Sequence, residues 1–337
     1  MTVVGPFGLS VQDRDLTRDV QAGMDAVETA LAETVKSDVS FITITASHLI
    51  EAGGKRFRPL LVMLAAQFGD PYAPGVVPAA VVVELTHLAT LYHDDVMDEA
   101  PVRRGAPSAN SRWDNSVAIL TGDFLFSRAS QVLADLGPEA VRLQADAFER
   151  LVTGQILETA GPGPDDEPLR HYLDVLSGKT GSLVAVSCRF GSLMAGAEPW
   201  VVDILTQYGE RMGIAFQLAD DVLDIASDGH ESGKTPGTDL REGVPTLPIL
   251  LLQQMAADDG DPADVRLREL LQLDLADDDA LHAEALRLLR KHPALEHARR
   301  ETLRYAEEAR ALLVPLPDCP AKAALEGLCD AVAIRTM

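Results

Sequence analysis

Six aspartates in two groups of three carry the strongest chemical signal in this chain. Asp94, Asp95 and Asp98 lie inside or at the end of an apolar run from Val76 to Met97. Asp220, Asp221 and Asp224 repeat the spacing inside a second run, Ile214 to Ile225. On a helix, positions three and four apart share a side, so each group projects carboxylates one way. Like charges at that spacing repel, and a divalent cation removes the repulsion. Magnesium suits such a site because it binds a few carboxylates while keeping water or phosphate ligands. One such motif in an acidic chain reads as a solvated turn. Two copies, 126 residues apart and each embedded in apolar sequence, point instead to faces that could converge across a bundle and hold metal and diphosphate.

Cations occur where that chemistry needs them. Gly53-Gly54-Lys55-Arg56-Phe57-Arg58-Pro59 places three basic residues at a helix start, and Arg103-Arg104 closely follows the first aspartate group. Free N–H groups at a helix start attract phosphate. Arginine binds phosphate through several donors, and lysine acts as a point charge.

The elements that must position these groups are helical almost throughout. The pattern predicts helices over 11–37, 41–52, 57–69, 77–100, 111–135, 138–160, 168–177, 180–196, 199–228, 246–257, 263–273, 278–291, 294–313 and 320–335. Gly- and Pro-rich breakers at 70–75, 161–166 and 258–262 separate them. None reads as an interdomain linker, so the expectation is an all-α fold, one large helical bundle forming a single domain over 1–337, with residues 1–40 an N-terminal helical extension. Asp228 to Pro245, Gly-rich, charged and poor in apolar residues, reads as a long surface loop and a candidate lid.

Composition narrows the partners. Against 29 Lys and Arg stand 52 Asp and Glu, a formal charge of −23. Nucleic acid and anionic lipid require a positive footprint, so both are excluded as partners. Cys188, Cys319 and Cys329 form no CxxC pair, so neither a disulfide framework nor a zinc site is indicated. The N-terminus lacks a charged region followed by a long apolar stretch. No uninterrupted apolar run approaches the roughly 20 residues of a membrane span. The expectation is a cytoplasmic protein without a transmembrane segment.

From about Gly53 onward the chain resembles the trans-isoprenyl diphosphate synthases, the polyprenyl synthetase family. The resemblance rests on His93-Asp94-Asp95-Val96-Met97-Asp98 with Arg103-Arg104-Gly105, and on Phe216-Gln217-Leu218-Ala219-Asp220-Asp221-Val222-Leu223-Asp224. Gly178-Lys179-Thr180, Gly233-Lys234 and Thr246-Leu247-Pro248 complete it. It implies an isoprenoid-synthase bundle with a central tail-binding cavity. Magnesium, three ions per site with substrate bound, would be held chiefly by Asp94, Asp98 and Asp220. Asp95, Asp221 and Asp224 would be ligands or lie just behind them. Arg103, Lys179 and Lys234 would hold an allylic diphosphate, and Lys55, Arg58, His87 and Arg104 isopentenyl diphosphate. Thr180 and Gln217 would stabilise the developing allylic cation beside Lys179. The double bond of isopentenyl diphosphate would attack that cation, and the departing diphosphate would take up the proton. Many members carry Lys in a Glu-Gly-Lys-x-Thr stretch; here Glu242-Gly243-Val244-Pro245-Thr246 has Val244, which removes one diphosphate contact.

The resemblance also places the floor of the tail pocket upstream of the first motif. Ala89 lies five positions before Asp94, roughly 7–8 Å along the axis. Ala89 and Thr90 are small, which implies a product longer than geranylgeranyl, six isoprene units or more. A geranylgeranyl diphosphate synthase and a non-catalytic partner subunit are the rival readings. A terpene cyclase fits less well, because such enzymes usually carry one DDxxD motif. The family implies a homodimer. His93, beside the first motif, reads as structural.

Overall fold

The computed structural model describes residues 2–4, 9–11, 13–227, 236–257 and 260–336. Along the chain, strands β1 (Thr2–Val4) and β2 (Leu9–Val11) pair antiparallel ahead of α1 (Arg14–Thr34), α2 (Ser40–Glu51), α3 (Phe57–Ala66) and α4 (Val76–Met97). Strands β3 (Val102–Arg103) and β4 (Ala106–Pro107) form a hairpin. Then come α5 (Ala109–Arg112), α6 (Asn115–Leu136), α7 (Pro138–Ala160), α8 (Pro168–Leu176), a π-helical turn (Ser177–Gly181), α9 (Ser182–Met194) and α10 (Pro199–Ala226). The remainder is α11 (Thr238–Arg241), α12 (Leu247–Gln254), α13 (Pro262–Leu270), α14 (Asp279–Leu289), α15 (Pro293–Leu312) and α16 (Pro320–Thr336).

The all-α expectation is met, and the helix boundaries fall within a few residues of those the periodicity predicts. Three differences have local causes. The helix expected from residue 11 starts at Arg14, because Val11 belongs to β2 and the Asp13 carboxylate accepts from the backbone N–H groups of Asp15 and Leu16. The helix expected over 111–135 is two, α5 and α6, and Asp114 caps the second through the Val117 N–H. Within the expected loop at 228–245, residues 238–241 form α11; residues 228–235 lie outside the described residues.

The chain divides into two compact units. The first comprises Met1–Glu149, Ser182–Gly209 and Leu312–Leu328, the second Arg150–Gly181, Glu210–Ala311 and Cys329–Met337. In the first unit α3 is apolar nearly all round, as a fully enclosed helix must be. Leu60, Leu61, Val62 and Leu64 are all sealed from solvent, and α3 packs on α9 and α4. α4 is long and apolar enough to cross a membrane by length and composition, yet 67% of its most apolar stretch is buried inside the protein. It is the first unit's core helix. The second unit packs α8 on α12, α13 on α14 and α11 on α14, around Leu247, Leu252, Leu267 and Leu289.

Candidate active site

In the first unit the C-terminal end of α4 presents the first aspartate motif. Its three carboxylates do not share one environment. Asp98 caps the helix and is exposed, Asp94 is half-buried, and Asp95 is fully buried. Arg103 Nε donates to Asp95 Oδ1 at 2.5 Å, and its Nη2 lies 3.9 Å from Asp98. Asp95 Oδ2 is buried without a hydrogen-bond partner. Burial raises the pKa of the Asp95 carboxyl, and the Arg103 guanidinium works against that rise.

The hairpin that follows explains Arg103-Arg104-Gly105. Arg104 and Gly105 are its two turn residues, with φ of 54° and 77°, the left-handed pair that a two-residue hairpin favours. The turn sends Arg104 back under the start of α3, where Nη1 donates to the carbonyls of Leu49 (2.9 Å) and Gly53. A Cβ at Gly54 would lie 2.7 Å from that guanidinium carbon. Gly54 thus gives the guanidinium room, and both glycines hold positive φ, 83° at Gly53 and 148° at Gly54.

Beneath this turn sits a carboxylate that sequence reasoning passed over. Glu84, 1% exposed, accepts from Arg56 Nη1 at 3.1 Å and lies 3.8 Å from Arg104 Nη2. Arg56 also pairs with both oxygens of Glu28, at 2.5 and 3.2 Å. Burial opposes the Arg56 charge, and the two glutamates more than offset it. Arg56 is thus a structural cation. The available signal was a glutamate within Val76–Leu88, a stretch otherwise free of formal charge.

Around His87, one turn further along α4, the balance is positive. Burial lowers its pKa well below the usual 6.5, and Arg58, Arg104, Arg103 and Arg56 each push it down further. Burial brings Arg58 down to about 10, opposed by Glu84, and its Nε is buried without a partner. Lys55 is exposed beside them. The first unit therefore gathers Arg58, His87, Arg103 and Arg104 in a cationic group suited to a polyanion. Below about pH 6.5 the unfolded chain takes up a proton at His87 and the folded chain does not. Stability is expected to fall with pH there, by up to about 1.4 kcal/mol per pH unit from this residue. His87→Gln should flatten that part of the slope in urea unfolding between pH 5 and 7.5.

His93 Nε2 lies 3.1 Å from the Ile119 carbonyl, and its ring contacts Phe126, as a structural residue would. Ala89 has no accessible surface, so no void wide enough for water touches it. Thr90 is half-buried, its hydroxyl donating to the His87 carbonyl.

In the second unit, Lys179 and Thr180 lie on the π-helical turn, a feature frequent at functional sites. A Cβ at Gly154 of α7 would lie 2.5 Å from the Lys179 amide nitrogen, so only glycine lets the widened turn rest against α7. Arg150 and Glu210 bracket Ser177 at the turn's start, at 3.1 and 2.6 Å from its hydroxyl. Lys179 Nζ pairs with Glu158 at 2.5 Å.

The second aspartate motif, on α10, is likewise split. Asp220 is half-buried and accepts from Arg335 Nη2 at 2.7 Å; that guanidinium stacks over Phe216. Asp221 points inward, accepting from Gln217 Nε2 (3.0 Å) and the Tyr172 hydroxyl. Burial raises its pKa to about 6, against the pull of those two donors. Asp224 accepts from the backbone N–H groups of Thr238 and Asp239, both at 3.1 Å, and so fastens the start of α11. Lys234 lies outside the described residues. Val244, where the family often has Lys, is exposed.

Among the described residues no group of three or more His, Cys, Asp or Glu side chains could hold a metal ion by itself. The donors nevertheless fit a magnesium-like ion. Asp94 and Asp98 are hard oxygen donors one turn apart and reachable from solvent, and such an ion binds through one or two carboxylates plus water and phosphate.

Residues 40–289 match the polyprenyl synthetase family. A nonaprenyl diphosphate synthase from Mycobacterium tuberculosis is 48% identical over 324 residues, 96% of this chain and 95% of that protein. Among solved structures, a geranylgeranyl pyrophosphate synthase from Corynebacterium glutamicum, in complex with calcium and isoprenyl diphosphate, is 44% identical. Its TM-score is 0.86, with 97% of this chain and 99% of that one covered. A decaprenyl diphosphate synthase from Rhodobacter capsulatus is 35% identical with a TM-score of 0.85, covering 96% and 99%.

Proposed function

The chain belongs to the polyprenyl synthetase family, and on that premise we propose that it is an all-trans polyprenyl diphosphate synthase joining isopentenyl diphosphate to an allylic diphosphate. The observation that carries this reading is the cationic group around His87, where Arg58, Arg103 and Arg104 face only two buried carboxylates, Glu84 and Asp95, and Arg58 Nε has no partner. Such a group is costly to enclose without an anion, and a diphosphate is an anion of the right kind. Lys55, Arg58, His87 and Arg104 would hold isopentenyl diphosphate; Arg103, Lys179 and Lys234 would hold the allylic partner.

Asp94, Asp98 and Asp220 would hold divalent metal, magnesium in this proposal, three ions with substrate bound. When bound, the metal neutralises the leaving diphosphate and makes the allylic C–O bond easier to break. Arginine and lysine side chains share that task by donating to the phosphate oxygens. The hydroxyl of Thr180 and the amide oxygen of Gln217 would face the positive carbon. Apolar walls would keep water from quenching it. The reading takes the chain as a single catalytic domain.

The proposal favours a medium- or long-chain product, in keeping with the nonaprenyl and decaprenyl synthases that the chain is similar to. The resemblance places Ala89 and Thr90 at the pocket floor, although in this structure Ala89 borders no open space. Replacing Ala89 with Phe is expected to shorten the product, read by chromatography of the dephosphorylated alcohols. Unchanged length would remove Ala89 from the floor of the tail pocket. A homodimer and a cytoplasmic setting complete the proposal; Phe41 and Ile44 on α2 and Leu120 on α6, each about half exposed or more, are apolar surface that a second copy could cover.

The deciding experiment supplies purified protein with labelled isopentenyl diphosphate, magnesium, and geranyl, farnesyl or geranylgeranyl diphosphate in turn. Incorporation that chelation with EDTA abolishes supports the reading. No incorporation with any starter by the protein alone would point to a non-catalytic partner subunit.

A further inference from the structure

Four side chains of the second unit form one hydrogen-bonded series. Tyr172 of α8 donates its hydroxyl to Asp221 Oδ2. Gln217, one turn before Asp221 on α10, donates Nε2 to Asp221 Oδ1 at 3.0 Å. Thr180 of the π-helical turn donates Oγ1 to Gln217 Oε1 at 3.4 Å. Asp221 is only 5% exposed, so protein groups supply its partners.

The series has a direction. An ionised carboxylate can only accept hydrogen bonds, whereas an amide donates at one end and accepts at the other. Asp221 therefore draws the NH2 end of Gln217 to itself and leaves the carbonyl oxygen on the Thr180 side. Tyr172 occupies the second carboxylate oxygen and so holds the carboxylate plane that the amide must match. A turned amide would occupy the same space, so these hydrogen bonds decide which end of Gln217 faces which way.

We propose that Tyr172 and Asp221 are positioning residues that fix the orientation of the Gln217 amide, so that its oxygen, rather than its NH2, faces the carbon where positive charge develops. The inference rests on the proposed function, which places Thr180 and Gln217 beside the allylic group. A carbonyl dipole with its negative end towards a developing cation lowers the barrier, and the reversed amide raises it. Binding of the diphosphates, which depends on other residues, is untouched by the reversal.

The test compares Tyr172→Phe and Asp221→Asn with the unmodified protein. Tyr172→Phe removes one hydroxyl and keeps the ring. Asp221→Asn introduces an NH2 that can donate to Gln217 and so permits the reversed amide. The expected result is a fall in kcat of about tenfold for Tyr172→Phe and about a hundredfold for Asp221→Asn, the size of effect seen when one preorganised dipole is lost. For Tyr172→Phe the KM values for both substrates, and the dissociation constant of magnesium pyrophosphate, stay within threefold; Asp221→Asn, beside the proposed metal ligand Asp220, is read by the exchange pattern of the Gln217 amide.

A spectroscopic readout separates the inference from the activity on which it rests. With selectively 15N-labelled glutamine, the Gln217 side-chain NH2, identified by its loss in Gln217→Met, should be protected from hydrogen exchange in the unmodified protein and exposed in both variants. An unmodified protein that turns over no allylic diphosphate would sink the proposed function, and the exchange pattern would still report the orientation. An active protein whose kcat is unchanged by Tyr172→Phe overturns the inference. So does a parallel loss of kcat, pyrophosphate binding and thermal stability, which is what a merely structural role would produce.

Discussion

Replacing Asp94 with Asn is expected to lower kcat by about three orders of magnitude while leaving the unfolding transition in place. Asp94 is half-buried near the end of α4, and Asp98, one turn on, is exposed. Both are reachable by an ion carried in with a diphosphate. The substitution keeps the shape of the side chain and removes its charge. Losing one such electrostatic contribution in a water-excluding site costs roughly 10²–10³ in rate, and loss of an ion that neutralises a leaving diphosphate belongs at the upper end. Asp94 is only half-buried, so thermal unfolding should shift less than it does when the sealed neighbour is changed. Asp95→Asn supplies the contrast. That residue is sealed and pairs with Arg103 at 2.5 Å, so its substitution should disturb both the hairpin and stability. Radiolabelled isopentenyl diphosphate incorporation and thermal melts on the two variants check the pair. Equal activity in Asp94→Asn and the unmodified protein would remove Asp94 from the metal site.

Glu84→Gln is expected to cost about 3 kcal/mol of folding stability, the largest loss at any single position near the site. Glu84 stands almost fully buried between Arg56 and Arg104. Removing one member of a buried ion pair typically costs 3–5 kcal/mol because the opposite charge is left in a poor environment. Arg56 retains both oxygens of Glu28, which places the expected loss at the low end of that range. The second consequence is chemical: with Glu84 neutral, Arg104 and Arg58 lose the carboxylate that helps keep them charged. Denaturant unfolding of Glu84→Gln and Glu84→Asp measures the effect, and a loss below about 1 kcal/mol in the former would show that Glu28 alone suffices for Arg56.

The helices were legible because each depends on its own residues. An apolar position every three or four residues, Pro near a start and Asp at a cap act within a turn or two. That is why α7 runs over the predicted 138–160 and why the breakers fall where Gly and Pro cluster. Residue type likewise announced the chemistry, since two sets of aspartates and a group of arginines carry their charge wherever the chain places them. The β3–β4 hairpin was missed because two-residue strands carry no periodic signal. Its mark was Arg104-Gly105, which reads as a turn only once Arg104 is seen at φ 54°.

The amino-acid sequence alone determined the helical class, the positions of the six aspartates and the cations that accompany them. Tertiary structure decided which carboxylates turn inward. Asp95 meets Arg103, Asp221 meets Tyr172 from 49 residues away, and Asp224 fastens the backbone at Thr238 and Asp239. Spacing along a helix fixes only the angle at which a side chain leaves the axis. What it meets there is set by another segment of chain, and a buried charge reveals its role only through that partner.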